Sequence, residues 1–151
     1  VALKRIAFMS RERAERMIGR PNMAIISIYE SGVEPADLRG QWGAVLQIQF
    51  DDREYEDPEL ITFDDSHAEQ IAGFIESMPR GIDELHVHCW AGVSRSAAVA
   101  MCIANQLGIG LDGDTEFHNR LVHRVLSKWF NTRMPSGYMA NQRYGVGGQN
   151  E

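Results

Sequence analysis

What most constrains the fold of this chain is the way short apolar runs alternate with helical patterns along it. Residues 23–29, MAIISIY, are apolar or β-branched at nearly every position and read as a buried strand. Lys4 to Met9 forms a candidate strand before it, and Ser10 offers the cap of a helix that Gly19 and Pro21 end. After a connection from Ser31 to Gly40, the run from Gly43 to Phe50 (GAVLQIQF) reads as a third strand and leads straight into Asp51 and Asp52. Asp64, Asp65 or Ser66 then caps a helix in which Ile71, Phe74, Ile75 and Met78 recur at helical spacing, until Pro79 and Gly81 stop it. Glu84 to His88 is a short strand. A glycine-containing turn follows, and then an alanine-rich helix from about Arg95 to Leu107, ended by Gly108 and Gly110. A last helix is expected from near Asp114, with Phe117, Leu121, Val125 and Trp129 on one face. Strands alternating with helices through short connections predict an α/β fold, a mainly parallel central sheet flanked by helices.

The length of 151 residues suits one compact domain spanning 1–151. A flexible, glycine-rich tail is expected from about residue 136. No apolar run approaches the roughly 20 residues of a membrane helix. Val1 to Ser10 lacks the apolar stretch and cleavage site of a secretion leader, so the expectation is a cytoplasmic protein with no membrane partner. The net charge of −6 argues against a nucleic-acid partner. Acid is concentrated in residues 51–65, where eight carboxylates face Arg53 alone, while the first twenty residues hold six bases against Glu12 and Glu15. A solvated surface accounts for most of both runs. Two cysteines, Cys89 and Cys102, are too few for a disulfide framework.

The stretch that carries chemistry lies inside the last strand–turn–helix unit: His88-Cys89-Trp90-Ala91-Gly92-Val93-Ser94-Arg95-Ser96. A strand delivers Cys89 to the end of a sheet, and a tight turn then enters a helix. Successive backbone N–H groups and the helix N-terminus form an anion site there. Arg95 closes the turn with a planar fork suited to two phosphate oxygens. The same positive field favours a thiolate at Cys89. Gly92 supplies a conformation or close approach that a side chain would block.

This Cys-x5-Arg loop, with His before and Gly within, resembles the signature of the cysteine-dependent protein tyrosine phosphatases. HCWAGVSRS is most similar to the dual-specificity subgroup. The resemblance covers the strand before Asp51 through the helix ending near Leu107, and nothing specific is recognised in residues 1–40. It implies a protein tyrosine phosphatase-like fold and a phosphocysteine intermediate on Cys89. It also implies that Arg95 and the N–H groups of Trp90, Ala91, Gly92, Val93, Ser94 and Arg95 bind the phosphoryl oxygens. Ser96 takes the place of a hydroxyl that assists thiolate departure, and His88 that of a histidine that steadies the loop and favours the thiolate. A hydrogen-bonded core histidine is an equally weighted reading of His88.

Such an enzyme also needs a proton donor on a loop after the preceding strand. Asp52 aligns best and Asp51 is the runner-up. Asp64 and Asp65, followed by Ser66-His67, form a rival pair for which helix capping is the better reading.

His86 and His88 alternate on a strand away from Cys89, so no metal site is expected there, and no cofactor is implied. Cys102 reads as a buried small residue. Trp42, Trp90 and Trp129 read as packing, and Arg133 and Arg143 as solvated surface. The acidic loop, and the absence of lysines between Cys89 and Arg95, favour a phosphoprotein or small aryl phosphate substrate. The expected enzyme is therefore a monomeric protein phosphatase acting on phosphotyrosine, with phosphoserine or phosphothreonine as further substrates. The alternatives are a phosphatase for RNA 5′ ends or phosphoinositides, a non-catalytic phosphate-binding module, and a sulfurtransferase.

Overall fold

A computed structural model of the chain describes residues 1–134. Its elements, in chain order, are β1 (Arg5–Ser10), α1 (Arg11–Arg16), β2 (Ile18–Gly19), β3 (Met23–Tyr29), β4 (Arg39–Gly40), β5 (Ala44–Gln49), α2 (Asp65–Glu76), β6 (Glu84–Cys89), α3 (Arg95–Leu107) and α4 (Arg120–Arg133). The fold is α/β, as expected. Four strands form one sheet in the order β1-β6-β3-β5, and every pairing in it is parallel. The glycine-rich tail and Arg143 lie outside the described residues.

Strand composition explains strand position. β3 and β6 are central and buried along almost their whole length, because elements cover both faces of a parallel sheet. β1 and β5, at the edges, are less completely covered. The large face carries Ala24, Ile26, Ile28, Leu85 and Val87 into a core shared with α2, α3 and α4. The opposite face carries Met9 and Ile25 into a smaller core with Ala14 of α1 and with Trp42. α3 is buried at ten of its thirteen positions, and its alanines let it lie close to the sheet. Gly108 ends it in a left-handed conformation, φ 70°, where glycine bears no Cβ penalty.

Two expected helices are shorter than their sequence patterns suggest. α1 begins where Ser10 accepts the N–H of Arg13, but it ends at Arg16 instead of Gly19. Ile18–Gly19 instead pairs in parallel with Arg39–Gly40, and Gly19 lies so near the Trp42 ring that a Cβ would come within 2.4 Å of it. Two-residue strands have no period to read. α4 begins at Arg120, not near Asp114, whose carboxylate instead accepts the N–H of Glu116 in a turn. Its buried face is Leu121, Val122, Leu126 and Phe130, which leaves Phe117 64% exposed.

α2 starts with a reciprocal capping box. Asp64 accepts the N–H of Ser66 at 2.9 Å, and the His67 ring accepts the N–H of Asp64 at 3.1 Å. The helix-capping reading of Asp64 therefore holds. Replacing it, Asp64→Ala, is expected to cost about 1 kcal/mol, readable as a lower urea midpoint with an unchanged slope.

Candidate active site

The C-terminal ends of the parallel strands converge on one edge of the sheet. There β6 ends at Cys89, β3 runs on to Glu30, and β5 is followed by Phe50, Asp51 and Asp52. Between them lies a cleft of about 450 Å³ lined by Glu30, Asp52, Cys89, Trp90, Ala91, Val93, Ser94 and Arg95. The site residues expected from sequence are thus brought together, apart from His88, which lies behind the loop.

The loop from Cys89 to Arg95 is held from beneath. Gly92 has φ 74°, and a Cβ there would come within 2.4 Å of the backbone of Met9 and Ser10. Only glycine meets both conditions. Arg11 N–H donates to Trp90 O at 3.1 Å, which ties the loop to the start of α1. Among the described residues, none of the backbone N–H groups of Ala91 to Arg95 donates a hydrogen bond. Ser94, at the N-cap of α3, makes no capping bond with its side chain, since its hydroxyl donates to Asp52 Oδ1 at 2.8 Å. Five consecutive donors and an uncapped helix start leave a run of positive dipole beside the cysteine.

Arg95 is 4% exposed. Its Nη1 donates to Phe50 O at 3.0 Å and to Glu30 Oε1 at 3.4 Å, while its Nε is buried without a partner. A buried guanidinium N–H left unpaired is uncommon, and this one belongs to a side chain that lines the cleft. The Cys89 thiol donates to Ser96 Oγ at 3.1 Å, and Ser96 N–H approaches Cys89 Sγ at 3.4 Å.

His88 is fully buried on the opposite face of β6. Its Nδ1 lies 3.2 Å from Cys89 O, and its Nε2 lies 2.6 Å from Ser27 Oγ. A carbonyl only accepts, so Nδ1 carries the proton and Nε2 accepts from the Ser27 hydroxyl. Burial, reinforced by the charges of Arg11 and Arg95, holds the ring below the usual histidine pKa, with the bond to Cys89 opposing. His88 is neutral at pH 7 and fastens the strand at the residue that bears the thiol. Of the two readings from sequence, the hydrogen-bonded core histidine is what this geometry shows.

Asp51 and Asp52 separate sharply. Asp51 is buried, and its two oxygens accept the Ser31 N–H at 3.0 Å, the Ser31 hydroxyl at 2.7 Å and the Ile61 N–H at 2.9 Å. Burial pushes its pKa up, but these bonds and the charge of Arg95 outweigh it and hold the carboxyl below its ordinary range. Asp51 is a scaffold anion. Asp52 lines the cleft and also accepts the amide N–H of Asn119 at 2.8 Å.

Sequence reasoning missed four residues. Glu30, Ser31 and Asn119 have no spacing that marks them, and Ser27, the one serine in a buried apolar strand, was the only readable signal. Trp90 departs from the packing expectation: it is 58% exposed at the cleft rim, with the Arg11 guanidinium 5.8 Å over its ring. Trp42 and Trp129 do pack, and Arg133 stacks on Trp129 at 4.0 Å. Cys102 is buried, and its thiol pKa is pushed up to about 11 by desolvation, as an inert core cysteine requires. His86 is buried against Trp42 and Glu84, and no cluster of three metal-ligating side chains occurs among the described residues. No helix among them is long and apolar enough to cross a membrane.

Comparisons with protein-family models, with curated proteins and with solved structures find no match.

The Asp51 contacts carry a pH signature. A carboxyl with a depressed folded pKa adds stability that is complete above the unfolded value of about 4 and is lost as pH falls through the folded one. The stability gap between the parent and Asp51→Ala, followed by urea unfolding, should therefore shrink from pH 7 to pH 3. A constant gap would mean that the bonds do not depend on the charge.

Proposed function

We propose that this chain is a cysteine-dependent phosphatase of the dual-specificity-like kind, hydrolysing phosphotyrosine in proteins and small aryl phosphates. The observation that carries the reading is the conjunction at Cys89. One cleft brings together a nucleophile and a buried arginine with an orphaned Nε, on a loop whose five N–H groups from Ala91 to Arg95 are unspent. Such an array satisfies the equatorial oxygens of a phosphoryl group in flight, where charge stabilisation has the greatest effect on rate.

In the first step the Cys89 thiolate attacks phosphorus in line. The S–P bond forms as the P–O bond to the ester breaks, and protonated Asp52 gives its proton to the departing oxygen. In the second step Asp52, now a carboxylate, takes a proton from water as that water attacks phosphorus. The S–P bond breaks, and inorganic phosphate and the thiolate are released. The Ser96 contact to sulfur serves this release: with Cys89 as thiolate, the Ser96 hydroxyl turns its hydrogen toward Sγ and stabilises the leaving sulfur. Neither step needs a metal, because the N–H groups and Arg95 supply the positive field.

Trp90 and Val93, exposed at the rim, suit an aryl ring, while the acidic residues of the 51–59 segment disfavour polyanions such as RNA ends and multiply phosphorylated inositols. Two unbridged cysteines suit a reducing cytoplasm. A monomer is proposed.

The test is hydrolysis of p-nitrophenyl phosphate in EDTA between pH 5 and 8. Cys89→Ser should abolish turnover, and Asp52→Ala should lower kcat by about 10²- to 10⁴-fold on phenyl phosphate, whose basic leaving oxygen needs the proton. Asp51→Ala should act through stability. Tungstate binding without turnover by the parent would instead indicate a phosphate-binding module. Turnover abolished by Cys89→Ser but unaffected by Asp52→Ala would move the proton donor to another carboxylate, with Asp51 and Asp65 the rivals.

A further inference from the structure

We propose that Asn119 is a positioning residue for the proton donor: with Ser94 it grips Oδ1 of Asp52, so that the transferable proton resides on Oδ2. The inference rests on the phosphatase reading above.

Asn119 is fully buried at the N-cap of α4, and its amide has one possible orientation. Its Oδ1 accepts the N–H of Val122 at 2.9 Å. Its Nδ2 donates to Asp52 Oδ1 at 2.8 Å and to Arg53 O at 3.0 Å. A flipped amide would set oxygen against two acceptors and nitrogen against a donor. The backbone N–H of Asn119 donates to Ser94 O at 3.0 Å, and the Ser94 hydroxyl donates to the same Asp52 Oδ1 at 2.8 Å. Asp52, Ser94 and Asn119 thus close a triangle that joins the acid to the phosphate loop and to a helix.

The chemistry follows from the donor count. An oxygen already accepting two hydrogen bonds carries an acidic proton only by evicting a donor. No hydrogen bond from the described residues engages Oδ2, so the proton resides there. Once it has left, the two donors steady the carboxylate that must next take a proton from water. The acid also borrows rigidity from α4, since its own segment, from residue 50 to residue 64, has no regular structure. The other charged groups lining the clefts around Asp52 are Glu30 and Arg95 on one side, and Glu54, Glu116, His118 and Arg120 on the other.

The decisive variant is Asn119→Asp. Aspartate caps helices as well as asparagine does, so the start of α4 is kept. The donor is lost, and a second carboxylate faces Asp52. Like charge favours the protonated form of the pair, so the basic limb of the kcat/KM profile should move upward by about one pH unit or more. Asn119→Ser is the second variant, since it also caps but is too short to reach Asp52. It should slow phenyl phosphate about 10-fold more than p-nitrophenyl phosphate, whose leaving group needs little protonation. On an Asp52→Asn background both effects should vanish.

Unmoved pH limbs, equal slowing of both esters, or the same losses on the Asp52→Asn background would overturn the inference. A parent that hydrolyses neither ester removes the phosphatase reading and the inference with it. An active parent with unresponsive variants removes the inference alone.

Discussion

The site depends on the parallel pairing of β6 between β1 and β3. Parallel strands end on the same edge, so the chemistry-bearing residues after each strand gather there without long loops. The helices that follow the neighbouring strands β1 and β6 leave on opposite faces of the sheet, α1 over the small core and α3 over the large one. A crevice opens where such connections diverge. Gly92 seats the loop from Cys89 to Arg95 in it, against the end of β1. Any substitution that shifted β1 against β6 would therefore disturb the loop before it disturbed the core.

Much of this was legible in the sequence because the relevant signals are local. The strand at 23–29, the capped helix at 65–76 and the turn at 89–95 each announce themselves within about ten residues. Failures occurred where a distant partner decided the outcome. Ile18 and Gly19 leave the helical pattern because Arg39–Gly40 and Trp42 are there to receive them. α4 starts late because Asn119 finds Ser94 O and a side-chain cap of its own. Cys89, Arg95 and Ser96 lie within eight residues and could be read together. Asn119 lies 67 residues from Asp52 and could not.

Polar satisfaction distinguishes the loop from Cys89 to Arg95 from the scaffold around it. Asp51, His88 and Asn119 are buried polar side chains whose bonds are largely complete, as stability demands. The loop they surround is the reverse, with unspent N–H groups, an orphaned Arg95 Nε and an N-cap serine turned from its helix. A segment so underbonded is held by its neighbours and is ready for an anion without rearrangement. Glu30, which lines the cleft beside Arg95, keeps the guanidinium oriented while offsetting part of its charge.

Asp51 and Asp52 show how little separates a structural carboxylate from a chemical one. They are adjacent and chemically identical, and what separates them is their partners: Ser31 and Ile61 hold Asp51 in the scaffold, and Ser94 and Asn119 hold Asp52 at the cleft. The identity of the surrounding loop residues matters less than their number. Deleting or inserting a single residue between β5 and this pair would draw both carboxylates away from these partners. The segment should therefore tolerate divergence in sequence far better than any change in length.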